Sequence, residues 1–311
     1  MADTRRERFR RLFERIRQPH RLTNWLAARR ERETRPDRMV SRPLGLDIEP
    51  TTRCNLRCRL CQRKEAHWPE TDLTLERFRR ILDQAPALEQ IKLQGIGEPL
   101  LNEQFFDMVR LARDRRIRVF SITNGTTLGN RDLQFTILTC GLTELLVSID
   151  GATAETQAKW RGGTDLEEIV HNLGNLIGRR RWSRLPRIGI WTVGNPDNLP
   201  ELAGLVDLAS AVGADFLTYQ TDITAWGKDD WLVRLADPRI DPETDEAAAR
   251  FVEAQAQAER RHLEFRIYTG NRFDADRPCF WPWESAFVSA EGYVTRCCIA
   301  SDPRLHNFGR I

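Results

Sequence analysis

From residue 43 onward, short apolar runs alternate with amphipathic stretches, and the two differ in period. LGLDIE, IKLQG, VFSITN, LLVSID, IGIWTV and FLTYQ read as strands. The intervening stretches include helices over 75–85, 103–114 and 165–178. In the last of these, Leu166, Ile169, Val170, Leu173, Leu176 and Ile177 make one continuous face. Thr74 is placed as a helix N-cap, and an alanine-rich helix is expected near 242–262. Strands alternating with helices predict an α/β fold, a parallel sheet with its helices outside. Ahead of it, residues 1–42 form an Arg-rich arm in which Phe9, Leu12, Phe13 and Ile16 recur at helical spacing. This stripe is expected to pack on the outside of the barrel, with docking of a partner or nucleic acid as the competing readings, and Pro36 to end the arm's regular structure.

Composition narrows the class. The 311 residues allow one large domain with a small appendage. No apolar run is long enough to span a membrane, and MADTRRERFRRLF lacks the hydrophobic core of a secretory signal. The net charge is only +3, yet residues 1–42 hold 14 arginines against 6 acidic residues, a local +8 that leaves −5 on residues 43–311. Seven cysteines in two separated groups fit a reducing cytoplasm better than a disulfide framework, and Cys140 reads as a buried structural thiol.

The chemistry begins at RCNLRCRLC. Cys54, Cys58 and Cys61, spaced C-x3-C-x2-C, can reach three irons of a cubane [4Fe–4S] cluster and leave the fourth open for a small molecule. Zinc is the rival, but a structural zinc site closes with four ligands, and the nearest histidine is His67.

In this context LDIEPTTRCNLRCRLCQR resembles the first strand and cluster loop of the radical S-adenosylmethionine (SAM) superfamily, and LQGIGEPL (93–100), SITNGTTL (121–128) and LLVSIDG (145–151) follow in the family's order. The resemblance covers residues 43–300, with one departure at Leu60, where the family usually carries an aromatic residue. It implies a partial (β/α)6 TIM-like barrel over 43–268, with the chemistry at the C-terminal strand ends, and an oxygen-sensitive enzyme fed by a flavodoxin- or ferredoxin-type donor. By resemblance, Gly95, Gly97 and Glu98 serve the SAM methionine amine, Ser148 and Asp150 the ribose, Arg161 the carboxylate, and Val193 the adenine through its backbone. Each has a plainer reading: a glycine turn, an Asp capping the next helix, a surface arginine.

Cys279, Gly292 and Cys297, spaced C-x12-G-x4-C, resemble the opening half of an auxiliary-cluster region of SPASM or Twitch type over 269–311, with a β-hairpin through Phe287, Val288, Tyr293 and Val294 uniting the thiolates. A buried pair of structural cysteines is the alternative. Cys298 stays open between ligand, hydrogen-atom donor and bystander. No cysteine follows it before Ile311, so truncation, or completion by Cys298 with Asp302 or His306, is expected. The function expected is hydrogen abstraction from a small polar metabolite, as a radical SAM oxidoreductase or epimerase, with Glu49, Gln94, Gln220, Thr221 and Asp222 lining a polar cavity. The alternatives are a maturase of a ribosomally made peptide and, from another class, an iron–sulfur redox sensor or nucleic-acid-binding protein; nucleic acid is the less expected partner, because such a sensor has no need of a SAM pocket.

Overall fold

The computed structural model describes residues 5–61, 63, 69–180, 185–221, 238–268 and 279–311, so Asp222 and His67 lie outside the described residues. Six strands follow the six apolar runs: β1 (Gly45–Ile48), β2 (Gln90–Leu93), β3 (Arg118–Thr123), β4 (Glu144–Ser148), β5 (Arg187–Val193) and β6 (Phe216–Gln220). They pair in parallel in sequential order, so each crossover adds one strand to the same growing edge. A seventh strand, β7 (Glu264–Tyr268), joins β6 in parallel. The C-terminal hairpin, β8 (Ser285–Val288) with β9 (Val294–Thr295), attaches by β8 in parallel to the other side of β1. The sheet thus runs β7-β6-β5-β4-β3-β2-β1-β8-β9 and stays open, a partial barrel as expected.

Alternation along the strands builds two environments. Ile48, Leu93, Val147, Ile190 and Leu217 point outward into a core shared with the helices. These include α3 (Leu75–Gln84), α4 (Phe105–Asp114), α5 (Arg131–Thr139), α6 (Ala154–Trp160), α7 (Leu166–Arg179), α8 (Leu202–Ala211) and α9 (Asp245–Arg261). Thr74 caps α3 by accepting from the Arg77 N–H, as expected. Cys140 is buried and its thiol lies on the Ile137 carbonyl, which suits the structural reading. The inward faces are more polar, and at the N-terminal end of the lumen Arg266 pairs with Glu144 and Glu264 while lying 3.7 Å over the Phe216 ring.

The arm forms two helices, α1 (Arg5–Ile16) and α2 (Pro19–Thr34), and regular structure ends just ahead of Pro36. Its stripe corrects the expectation. Phe9, Leu12, Phe13 and Ile16 remain 76, 38, 55 and 56% exposed. Arginines do the docking instead: Arg15 grips Glu89 at 2.6 and 2.7 Å, and Arg21 donates to the carbonyls of Arg115 and Arg116. Those acceptors lie ahead of β2 and β3, so the arm sits at the N-terminal end of the strands, opposite the cysteine loop.

Candidate functional site

The loop after β1 is held from three sides before any ligand enters. Arg53 forks onto Asp72 and reaches the Leu101 carbonyl, and Asn102 donates to the carbonyls of Pro50 and Leu73. The Glu98 N–H donates to the Arg53 carbonyl, while Asn55 joins Thr126 and Asn124 on the β3 loop. Behind the cysteines, Arg59 bonds the Trp160 carbonyl and lies over its ring. Cys54, Cys58 and Cys61 therefore project from a loop pinned to the ends of β2 and β3 and to α6.

Gly97 of the second motif has a structural reason of its own. A Cβ on Gly97 would stand 2.3 Å from the Thr51 carbonyl oxygen and 2.5 Å from that of Arg53. Gly97 is thus required for the close approach of the two loops. Glu98 is 2% exposed, and its carboxylate accepts from the Thr123 hydroxyl and the Asn124 and Leu100 N–H groups. Burial raises its pKa against those hydrogen bonds. The carboxylate is committed to joining the β2 and β3 loops, which leaves the Gly95–Gly97 peptide edge facing the cavity.

At the end of β4, Asp150 does not cap the next helix, a task that Thr153 performs for α6. One Asp150 oxygen accepts from the Val193 N–H and the other pairs with Arg161 at 2.7 Å. The Val193 carbonyl accepts from Asn195 and Asn198, so its backbone is in use on both sides. Arg161 is no surface arginine. It lies within the electrostatic reach of Cys58, Cys61 and Asp150, its Nε is held 2.7 Å from Asp150, and the guanidinium borders the cavity.

These groups enclose a cavity of about 280 Å³, lined by the three cysteines, Gly95, Gly97, Glu98, Ser148, Asp150, Arg161 and Val193. The candidate cofactor residues of the sequence are brought together. Gln94 and Gln220 border it as expected, whereas Glu49 does not: its carboxylate bridges the Ile96 and Ala290 N–H groups, and burial pushes its pKa up to about 7. Thr221 likewise turns its groups to the Tyr268 carbonyl. Trp160 and Trp191 also wall the cavity and were not anticipated. The signal was present, two large aromatics at the ends of α6 and β5, but nothing in their spacing marked them.

Burial raises all three thiol pKa values, Cys61 to about 11, and the three feel one another's charge. Three thiols with no fourth Cys or His among the described residues lining the cavity suit a cluster that keeps one iron open better than a closed tetrahedral zinc site.

At the other edge, Gly292 takes φ +91° in the turn between β8 and β9, and Cys279 and Cys297 lie close enough to influence each other's charge. Cys297 is fully extended, so its neighbour Cys298 projects to the opposite side. There it hydrogen-bonds Asp47 of β1 in the barrel lumen, and burial lifts its pKa to about 12. Asp302 does not offer a free carboxylate, since Arg304 holds both oxygens, and His306 is exposed.

A partial parallel barrel with three thiols and an Arg161–Asp150 ion pair at its C-terminal rim defines the class, and comparison names the family. Residues 48–209, more than half of the chain, match the Radical SAM superfamily, and the chain belongs to it. Its cofactors are accordingly a [4Fe–4S] cluster and SAM. The chain is 33% identical over 168 residues to the tungsten-containing aldehyde ferredoxin oxidoreductase cofactor-modifying protein of Pyrococcus furiosus, covering 51% of this chain and 46% of that one. Over 196 residues it is 25% identical to the mycofactocin maturase MftC of Mycobacterium tuberculosis, 63 and 49% of the two chains. It spans about half the length of these curated relatives. Among solved structures, Streptococcus suis SuiB bound to precursor peptide SuiA superposes with a TM-score of 0.65 at 14% identity, over 83% of this chain and 60% of SuiB. The SAM-bound anSMEcpe gives 0.64 at 17%, over 86 and 74%. At these identities the superpositions show a shared fold, in keeping with the resemblance drawn from the sequence. No described helix is long and apolar enough to cross a membrane.

Proposed function

We propose that this radical SAM enzyme abstracts hydrogen from a small polar metabolite, ending in dehydrogenation or epimerisation. The observation that carries the reading is the cavity itself, which the three thiols, Arg161, Gln94 and Gln220 line together. When bound, the cluster and SAM supply a reductively generated 5′-deoxyadenosyl radical. Cys54, Cys58 and Cys61 would hold the cluster. The terminal N–H groups of Arg161, whose Nε faces Asp150, would receive the SAM carboxylate, which suits the geometry of a guanidinium. The peptide edge at Gly97 would take the amine and Ser148 would face the ribose, while Glu98 and Asp150 hold the loops in place. Trp160 and Trp191 keep bulk water from the reacting centre. Cys279 and Cys297 would begin an auxiliary cluster at the β8–β9 hairpin, and Cys298, turned into the lumen, is the candidate hydrogen-atom donor. A soluble flavodoxin or ferredoxin in the cytoplasm would provide electrons.

The likeness to MftC and SuiB favours a second reading, in which the substrate is a residue of a ribosomally made peptide. The central test is anaerobic reconstitution. The parent should yield 5′-deoxyadenosine from SAM and reductant, and Cys54→Ala/Cys58→Ala/Cys61→Ala should yield none. Cleavage by the triple variant at the parent's rate would sink the proposal. Untargeted product analysis with cell metabolites, set against precursor peptides encoded nearby, separates the two substrate readings.

A further inference from the structure

The inward faces of β1 and β2 carry charges that the reading above does not use. Asp47 and Lys92 are paired residues of neighbouring parallel strands and face the lumen. Asp47 is only 5% exposed, yet its Oδ2 has no hydrogen-bond partner. Lys92 sits mid-strand and still keeps accessible surface, so it borders internal space. Its charge interacts with Asp47, Cys298, Tyr268 and Glu144, groups from β1, the C-terminal turn, β7 and β4. Among the described residues Lys92 makes no hydrogen bond, nor any ion pair within 4 Å.

The contrast with the rest of the lumen is informative. Arg266 closes on Glu144 and Glu264, and Arg187 on Glu264, each within ordinary ion-pair distance. Opposite charges on adjacent strands normally close in this way, because an unpaired buried carboxylate oxygen and an unpaired ammonium both forfeit solvation. Asp47 and Lys92 do not close on each other: Cys298 lies against the Asp47 carboxylate, whose Oδ2 still has no hydrogen-bond partner. Two residues further along β2, on the same face, Gln94 borders the SAM cavity with its own Oε1 unpartnered. A ligand that satisfies both must bring an anion to Lys92 and a donating cation to Asp47.

We infer that Asp47 and Lys92 form the recognition floor for the zwitterionic head of a free α-amino acid, its carboxylate on Lys92 and its ammonium on Asp47. This deepens the small-metabolite reading and rests on it. A residue inside a peptide lacks both charges at its Cα and would not satisfy the floor.

The test is anaerobic calorimetry on the full reconstituted chain with SAM and no reductant, titrating each proteinogenic L-amino acid. At least one should bind. Lys92→Met and Asp47→Asn should each weaken it by about tenfold or more, the scale of one lost charge-assisted hydrogen bond, and Lys92→Arg should recover part of the loss. The N-acetyl amide of the same amino acid should not bind. Unchanged circular dichroism and melting of the two variants, checked first, separate a lost contact from a lost fold. The inference is overturned if no amino acid binds, if the variants bind like the parent, or if the acetylated amide binds as well as the free acid. Failure of the parent to cleave SAM once reductant is added would instead sink the enzymatic reading, because the binding measurement does not depend on turnover.

Discussion

Glu98 and Glu49 spend their carboxylates on the loops around the site. Glu98 satisfies three donors on two loops from a fully buried position. Glu98→Ala should therefore cost about 2–4 kcal/mol of stability, as the donors lose their acceptor, in addition to any effect on SAM affinity. Chemical denaturation checks the first and equilibrium binding the second; a variant of parental stability would restore the ligand-facing role. Glu49 gives a pH dependence. Its folded pKa of about 7 exceeds the ordinary 4.5, so the native state binds a proton more tightly than the unfolded chain. Its contribution to stability is complete below the ordinary value and is lost as the pH rises through about 7. The loss is roughly 3 kcal/mol at most. Glu49→Gln should flatten that fall in melts between pH 5 and 8, at the cost of one backbone hydrogen bond; an unchanged slope would assign the dependence elsewhere.

At the scale of elements, β1 to β6 were legible because each is buried on its outward face, and continuous apolar runs mark such strands. β7 was not, since Glu264, Arg266 and Tyr268 alternate along it and resemble a solvated edge; their charges are paired inside the lumen. Nor could local pattern reveal that β8 adds to β1, a pairing between residues far apart in sequence. The cysteine loop was legible in full, because ligand spacing is a local property. The floor of Asp47 and Lys92 was not, because their meeting depends on strand register. The arm shows the opposite error, a clear apolar period that stays exposed among the described residues. Its docking by arginines predicts that Arg21→Ala destabilises the protein by about 1–3 kcal/mol, leaving two carbonyls without their donor. Phe9→Ser/Phe13→Ser should change stability by no more than about 0.5 kcal/mol. Urea melts distinguish the two, and the reverse ranking would mean that the stripe packs after all.

At the scale of the molecule, the open sheet places two groups of cysteines at different addresses. The first group crowns the C-terminal ends of the strands, and the second lies where β8 and β9 extend the sheet past β1. The extended backbone at Cys297 divides the second group further, turning Cys297 toward Cys279 and Cys298 toward Asp47. An auxiliary cluster built here would therefore draw on Cys279 and Cys297 and not on Cys298. Iron content after anaerobic reconstitution should exceed about four per chain and fall toward that number in Cys279→Ala/Cys297→Ala, since a cubane cluster accounts for four irons. Cys298→Ala should keep the parental iron content while changing the product formed, as expected of a thiol that meets the substrate in the lumen. Loss of iron in Cys298→Ala equal to that of the double variant would show that the turn rearranges to bring this thiol onto the cluster. A parent holding only four irons would remove the auxiliary cluster and leave Cys279 and Cys297 as a structural pair.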